Sequence, residues 1–535
     1  MNRFLVHIEA VNFDESILDT NDLSVIRGGG YANLLIPLYI AQSLSSLGEL
    51  EMAEGDGADK FLPLVYDGAS QAQRILRTEK SIQEVEAYVS DLSQGRVEIK
   101  IPDNSPPELA EIIRHLSIVS AVIPFPEDIG YEIAANMIIG QIRKKQMMQL
   151  SFEKGEPVSQ SFRKPCDLDG VRPAVAKIRK GFGEEVTEFS VSRSVKLRYD
   201  FGRDLRREIY QKIGIEFPEE PQPVELAISF NDIIKNSPQN LVPSLANKMA
   251  VICMDGNKFT EKRSNAIKER GGQGAFEFSR AVLKWRSEFL QALIDTLWDD
   301  PHMFLDERFP DEIYFRFSTL MWGGDESCFV LPAWKFRDFL KFLVRNQVED
   351  ENQFTQAVGI VICNYKTPIK RAKKMAEDAV ESVKKCFAPG VNSDGYSFQL
   401  FESLDPPMEG LNAWRERLYK TKSEAAFSII GQQNLSEYLD AFERISSPSE
   451  GLPRHQLYRA INKLRKLNSG KYTFDDTCER INHIVKRSHG DNPEIRERLI
   501  ADLKNPIFGE DENTPGIGLV RIAEMWDLMR PFVSE

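Results

Sequence analysis

Ile313-Tyr314-Phe315-Arg316-Phe317-Ser318-Thr319-Leu320-Met321-Trp322-Gly323-Gly324-Asp325-Glu326-Ser327-Cys328-Phe329-Val330-Leu331 decides the fold. Ile313 to Ser318 alternates apolar and polar residues, the period of a half-buried strand. Met321 to Glu326 reads as a tight turn, because glycine accepts the positive φ that two-residue hairpins demand. Cys328 to Leu331 returns as the next strand. Gly323 and Gly324 have no side chains, so a triphosphate can approach the backbone there. The acidic pair Asp325 and Glu326 would then lie beside the phosphates.

The flanking pattern supports this reading. Lys248 to Met254 predicts a strand that ends in Asp255-Gly256-Asn257-Lys258-Phe259. Phe278, Val282, Trp285, Phe289 and Leu293 share one face of a long helix. After the hairpin, Pro332 opens a helix carrying Phe336, Phe339, Leu340 and Leu343. Val358 to Cys363 is a strand, Pro368 begins a helix running to Lys385, and Tyr396 to Phe401 is a final strand. A lone Gly-Gly-Asp-Glu string is most often a surface hairpin, and Asp255 alone reads as a turn residue. The full order matches nucleotide cyclase and polymerase palms. Asp255, Asp325 and Glu326 at strand ends suit hard divalent cations, which take oxygen ligands. Two such ions roughly 3.5–4 Å apart would activate a ribose hydroxyl and stabilise departing pyrophosphate. Gly256, Asn257, Gly323 and Gly324 would shape the nucleotide site.

The N-terminal part echoes this arrangement. His7-Ile8-Glu9-Ala10-Val11-Asn12-Phe13 aligns with Cys253-Met254-Asp255-Gly256-Asn257-Lys258-Phe259, and Tyr66-Asp67-Gly68-Ala69-Ser70 with Trp322-Gly323-Gly324-Asp325-Glu326. The first copy then carries Ala69 and Ser70 where the second carries carboxylates. Phe4 to Ile8 and Ile118 to Ile123 read as strands, and Phe61 to Tyr66 as a short apolar run before a turn; Tyr31 to Leu47, Ser81 to Leu92 and Glu132 to Met148 read as helices. Pro218 to Pro223 reads as a linker. From Leu411 onward the chain is helical and charged, with no catalytic signature. Arg27-Gly28-Gly29-Gly30 reads equally as a phosphate loop at a helix N-terminus or as a glycine-rich helix entry.

Composition limits the function classes. The 535 residues carry a net charge of -13, which argues against gripping long nucleic acid through a broad basic face. The six cysteines form no Cys-x-x-Cys pair, which excludes a readable zinc ribbon or redox motif. Cys253, Cys328 and Cys363 sit in apolar runs as small hydrophobes. No signal peptide and no membrane-spanning run is legible, so the expected setting is cytoplasmic.

The second half resembles the palm shared by diguanylate cyclases and the large polymerase-like subunit of type III CRISPR effector complexes. Val358-Gly359-Ile360-Val361-Ile362-Cys363-Asn364-Tyr365-Lys366-Thr367-Pro368-Ile369 and its Ala/Lys-rich helix are closer to the CRISPR subunit. Asp22-Leu23-Ser24-Val25-Ile26-Arg27-Gly28-Gly29-Gly30 is similar to a segment of that family's degenerate first palm. Cys166-Asp167-Leu168-Asp169-Gly170-Val171-Arg172-Pro173-Ala174 resembles the start of its zinc-ribbon region, with Asp169 where a second cysteine would stand. The family's turn is Gly-Gly-Asp-Asp, and Glu326 lengthens its last carboxylate. No histidine precedes an aspartate, so the family's His-Asp nuclease motif is not expected.

The resemblance implies an α/β chain with two ferredoxin-like palms: a degenerate first palm (1–126), a linker domain (127–240), a catalytic palm (241–405) and a C-terminal helical domain (406–535). It implies conversion of ATP into cyclic or linear oligoadenylate messengers in antiviral defence. Asp255, Asp325 and Glu326 would hold Mg2+ or Mn2+, and Lys366 would face the triphosphate. The implied partners are CRISPR-type protein subunits, with guide and target RNA reached through them. A stand-alone cyclase making another nucleotide signal, and a scaffold subunit without turnover, are the competing readings.

Overall fold

The computed structural model describes residues 1–51, 67–68, 70–101, 108–148, 164–180, 186–218, 225–304, 314–346, 354–386, 393–402, 407–419, 429–467, 473–490, 492–508 and 516–533. The short apolar run Phe61–Tyr66, residues Ala69 and Ile313, and most of the Pro218–Pro223 linker lie outside them. The chain divides into two compact units. One comprises Met1–Glu216, Lys258–Gln291 and Thr319–Ser327; the other comprises Phe217–Asn257, Ala292–Ser318 and Cys328–Glu535.

The first unit is built on a strand whose apolar residues enter the core and which also carries His7 and Glu9. In β1 (Asn2–Val11), Leu5, Val6 and Ile8 are fully buried. Helix α1 (Leu23–Ser43) follows, then strands β2 (Glu49–Leu50), β3 (Asp67–Gly68) and β4 (Gln71–Thr78). Helix α2 (Ile82–Ser93), strand β5 (Ser117–Pro124) and helix α3 (Tyr131–Met148) complete the layer. β1 lies between β4 and β5, antiparallel to both; β2 and β3 pair with β4. Alternation puts Leu5, Ile75, Val119, Ala121 and Ile123 on one face, where Ala134, Ala135, Ile138 and Ile142 of α3 bury them. Helix α2 starts on a capping box, in which Ser81 and Glu84 satisfy each other's backbone N–H.

The Arg27–Gly30 segment is settled by position. Helix α1 begins at Leu23 with Asp22 as its cap, so the glycines lie inside the helix and not at its N-terminus. A Cβ on Gly28 would sit 1.9 Å from the Arg198 carbonyl oxygen, and one on Gly202 would sit 2.0 Å from that of Ser24. The glycines therefore let α1 and helix α4 (Arg193–Asp204) touch backbone to backbone. The phosphate-loop alternative falls, because the N–H groups there are spent on the helix. Nearby, Cys166 packs against Val25, Ile178, Val191, Val195 and Tyr199. Asp169 ties the turn beside it by accepting from the N–H groups of Val171 (2.8 Å) and Arg172 (2.9 Å). At the family's second-cysteine position, a carboxylate holds the turn through hydrogen bonds.

In the second unit β6 (Lys248–Gly256) pairs antiparallel with β9 (Gln356–Asn364) along its whole length. Between them in sequence come helix α5 (Phe259–Trp298), strands β7 (Ser318–Gly323) and β8 (Glu326–Pro332), and helix α6 (Phe336–Arg345); of these, Phe259–Gln291 and Thr319–Ser327 belong to the first unit. Helix α5 is broken at Gly271, whose φ is 59°. Helix α7 (Ile369–Cys386) and strands β10 (Gly395–Leu400) and β11 (Ile429–Gly431) follow, and the strand order is β7-β8-β6-β9-β10-β11. A Cβ on Gly359 would lie 2.0 Å from the Ala376 carbonyl oxygen, so glycine there lets α7 lie directly on the sheet. Cys253, Cys328 and Cys363 are buried in it, as their apolar surroundings implied. Helices Gln432–Ile445, Arg454–Leu467, Phe474–Ser488, Pro493–Leu503 and Ile517–Met529 form the C-terminal block.

The fold is thus α/β with two palm-like sheets and a helical C-terminal block. The central strands β4-β1-β5 and β8-β6-β9 share one order and one set of connections. The aligned residues Asn12 and Lys258 both adopt left-handed backbone, φ 58° and 59°, and a helix starts at the next phenylalanine in each case. Positive φ is uncommon outside glycine, so its recurrence supports the repeat. The hairpins need one adjustment. β3 ends at Gly68 and β4 begins at Gln71; β7 ends at Gly323 and β8 begins at Glu326. Strand ends therefore match Ser70 to Asp325 and Gln71 to Glu326, one residue from the sequence alignment.

Candidate functional site

Gly323, Gly324, Asp325 and Glu326 lie at the turn between β7 and β8. With Phe13, Gly30, Asn33, Leu34, Ser70 and Gln71 they line a cavity of about 210 Å³. Gly30 is needed here for space, since a Cβ would lie 3.0 Å from the Leu320 carbonyl oxygen. Asp325 and Gly324 also border a larger cavity of about 440 Å³, within the usual range for small-molecule sites. Its other walls include His7 and Glu9 of β1, Arg143 of α3, and Phe259, Arg263 and Phe278 of α5. All these residues belong to the first unit.

Glu9 is the most elaborately supported acid there. Its side chain is 13% exposed and faces His7 Nε2 at 3.5 Å. His7 Nδ1 meets Gln73 Nε2 at 3.2 Å, and Gln73 Oε1 accepts from the Tyr131 hydroxyl. Burial alone would raise the Glu9 pKa. The hydrogen bond and charge of His7, then the charge of Arg143 and a hydrogen bond with Gln146, outweigh burial, and the carboxyl ends below its ordinary value.

Asp255, Gly256, Asn257 and Lys366 belong to the second unit. Asp255 lies at the end of β6 opposite Ala357, and its Oδ2 receives the ammonium of Lys384 from the last turn of α7. Asn257 acts as a clamp: its Nδ2 donates to Thr355 Oγ1 (3.2 Å) and to the Ser393 carbonyl (3.1 Å). Its own N–H reaches the Thr355 carbonyl at 2.8 Å. The loop after Asp255 is thereby fixed to the start of β9. Asp394, beside Ser393, accepts from the Gln356 N–H at 2.7 Å. Desolvation there pushes its carboxyl up to about 6.

Lys366 is at the wrong end of the sheet to share a phosphate with Asp255. Its neighbour Tyr365 donates to the Asn247 carbonyl (3.0 Å), and β6 runs from there to Asp255. Strand rise of roughly 3.3 Å per residue puts about 26 Å between the two ends. Lys384 is the ammonium that reaches Asp255, and sequence reasoning missed it. It is one of several lysines on an amphipathic helix, and nothing in its spacing separates it from a solvated face. Glu9 was visible through the repeat, since it aligns with Asp255; the His7–Gln73–Tyr131 chain was not.

Among the described residues no group of three or more His, Cys, Asp or Glu side chains converges as a ready metal site. The donors at the hairpin are two carboxylates. That suffices for Mg2+, which commonly takes one or two protein carboxylates and completes its shell with phosphates and water. Among the described residues no helix is long and apolar enough to cross a membrane.

No family model and no curated protein sequence matches the chain. Solved structures do match its fold. Csm1 in T. onnurineus gives a TM-score of 0.53 at 12% identity, covering 99% of this chain and 70% of that one. The Csm1-Csm4 cassette in complex with cA4 gives 0.52 at 12% identity, with the same coverages. The cassette in complex with one ATP gives 0.51 at 12% identity, over 98% and 70%. The chain therefore has the fold of Csm1.

Proposed function

We propose that this chain binds ATP at the Gly-Gly-Asp-Glu hairpin and condenses it into cyclic or linear oligoadenylate, as one subunit of a type III CRISPR-type assembly. The observation that carries the reading is the hairpin itself: Gly323–Glu326 open on a cavity of nucleotide size, with Asp325 on its wall. The likeness to Csm1 structures that hold cA4 and ATP supports the same substrate class. In this reading Asp255, Asp325 and Glu326 hold Mg2+ or Mn2+, which stabilises the departing pyrophosphate. Gly256 and Asn257 fix the loop that carries Asp255, Gly323 and Gly324 admit the phosphates, and Lys384 takes the role first given to Lys366. Protein subunits of the assembly, with guide and target RNA reached through them, supply the activating signal.

The experiment is incubation of the purified chain with each labelled NTP and Mn2+, alone and with the neighbouring subunits. ATP-dependent oligoadenylate is expected, and Asp325→Asn should lower its yield at least about a hundredfold, the scale of losing a metal-borne charge interaction. Wild-type rates in folded Asp325→Asn would refute the assignment, and a product from another NTP would favour the separate cyclase. A second reading, a nucleotide-binding scaffold, is favoured by the Lys384–Asp255 ion pair, which already occupies one expected metal ligand. It predicts ATP binding without product under every condition.

A further inference from the structure

The wall of the larger cavity carries an anion with unusual support. Tyr131, Gln73 and His7 are buried at 8%, 1% and 4% exposure, and each has a polar atom directed to the next. The contacts follow one another: the Tyr131 O–H gives to Gln73 Oε1, Gln73 Nε2 meets His7 Nδ1 at 3.2 Å, and His7 Nε2 faces Glu9 Oε2 at 3.5 Å. The chain supports the Glu9 carboxylate and favours its ionised form. Arg143 does not cancel that charge at close range: its Nη1 is 3.8 Å from Glu9 Oε1, and its side chain is 63% exposed.

A carboxylate taken largely out of water and only partly paired is costly. It offers up to about four acceptor positions, and its partners are His7, Gln146 and, at 3.8 Å, Arg143. Its charge repels a triphosphate. What it can hold is a neutral hydrogen-bond donor, and in a nucleotide those are the ribose hydroxyls and the exocyclic amine of the base.

We propose that Glu9 is a specificity-determining residue that accepts a hydrogen bond from the nucleoside end of a ribonucleotide bound in this cavity, with His7, Gln73 and Tyr131 as its positioning residues. The proposal rests on nucleotide binding at the Gly-Gly-Asp-Glu hairpin. It adds an orientation: phosphates toward Gly324 and Asp325, nucleoside toward Glu9. It also gives the first palm a task that needs no metal.

The test is calorimetric binding to the full chain of a non-hydrolysable ATP analogue and its 2′-deoxy, 3′-deoxy and inosine counterparts, in wild type and Glu9→Gln. Wild type should bind the analogue lacking the contacted donor roughly 10- to 100-fold more weakly, the scale of one hydrogen bond to a charged group. Glu9→Gln should weaken the parent by a similar factor and leave that one analogue unchanged, so the identity of the insensitive analogue names the donor. Glu9→Asp, which keeps the charge and withdraws it by one methylene, should give an intermediate ratio and serves if Glu9→Gln fails to fold. Equal weakening of all four ligands, or of none, in the folded variants would overturn the proposal. Absence of nucleotide binding by wild type would overturn the hairpin reading as well, which separates the two failures.

Discussion

The ends of β1 and β6 share a backbone and differ in electrostatics. Both strands are central, both are followed by a residue at positive φ and then a helix, and both carry an acid three residues before that position. Glu9 is supported by the buried His7, Gln73 and Tyr131 side chains, with Arg143 at 3.8 Å. Asp255 is met by a full ammonium, in a pair whose side chains are 29% and 21% exposed. The first arrangement keeps an anion available to an uncharged ligand. The second keeps an anion stored against a cation, which a metal ion or a polyphosphate can exchange. A repeated fold can thus divide labour by changing what surrounds one carboxylate.

The largest effect expected from this contrast is on turnover. Asp255→Asn should reduce oligoadenylate formation by about a hundred- to a thousandfold, through loss of metal-centred stabilisation of the transition state. Glu9→Gln should leave the metal requirement unaltered and act on nucleotide affinity. Manganese titrations of product formation in both variants check this. If Glu9→Gln shifted the manganese midpoint and Asp255→Asn did not, the roles of the two strand ends would be exchanged.

The second contrast is in pH. Asp394, in the second unit, has its carboxyl pushed up to about 6 by desolvation. Between about pH 4 and 6 the unfolded chain is ionised there while the folded one is not, so this contribution to stability is lost as pH rises through that window. The loss amounts to about 3 kcal/mol at most. Asp394→Asn can still accept from the Gln356 N–H, and should remove the slope and raise stability at pH 7. His115, in the first unit, behaves oppositely: burial, with Arg198 and Arg172 beside it, lowers its pKa to about 4. Stability tied to neutral His115 is full above about pH 6.5 and declines as pH falls toward 4. Thermal unfolding of Asp394→Asn and His115→Gln from pH 4 to 8 should flatten opposite limbs of the profile; parallel shifts would contradict both assignments.

What the sequence reveals follows from the range of each interaction. The strand–helix–hairpin order, the acidic turn and the repeat are written in local periodicity and glycine placement, and they were legible. The Arg27–Gly30 segment had two local readings, and only the approach of Gly202, far away in sequence, decides between them. Likewise Gln73 meets His7 and Tyr131 through the pairing of β4 with β1 and the packing of α3. Such contacts depend on register, which residue types alone do not encode. The one-residue adjustment at the first hairpin has the same origin.

The smallest effect expected concerns the two lysines. Lys366 is exposed, and its ammonium lies 5.7 Å from the Tyr365 ring centroid at the end of β9 remote from Asp255. Lys384 contacts the Asp255 carboxylate directly. Partly exposed pairs contribute modestly, about 1 kcal/mol or less, so Lys384→Ala should lower thermal stability only slightly. Its effect on nucleotide should be larger than its effect on fold: once a metal or a polyphosphate displaces it from Asp255, the ammonium is free to pair with phosphate. Roughly a tenfold loss of ATP affinity is expected, with little change for the unphosphorylated nucleoside, because the lost interaction is with charge. Lys366→Ala should match wild type in both. A nucleoside control insensitive to Lys384→Ala, together with an ATP loss that shrinks as salt rises, would mark the contact as electrostatic. Equal losses from the two variants would mean that distance from Asp255 does not govern phosphate binding, and the contrast between the two strand ends would have to be drawn without Lys384.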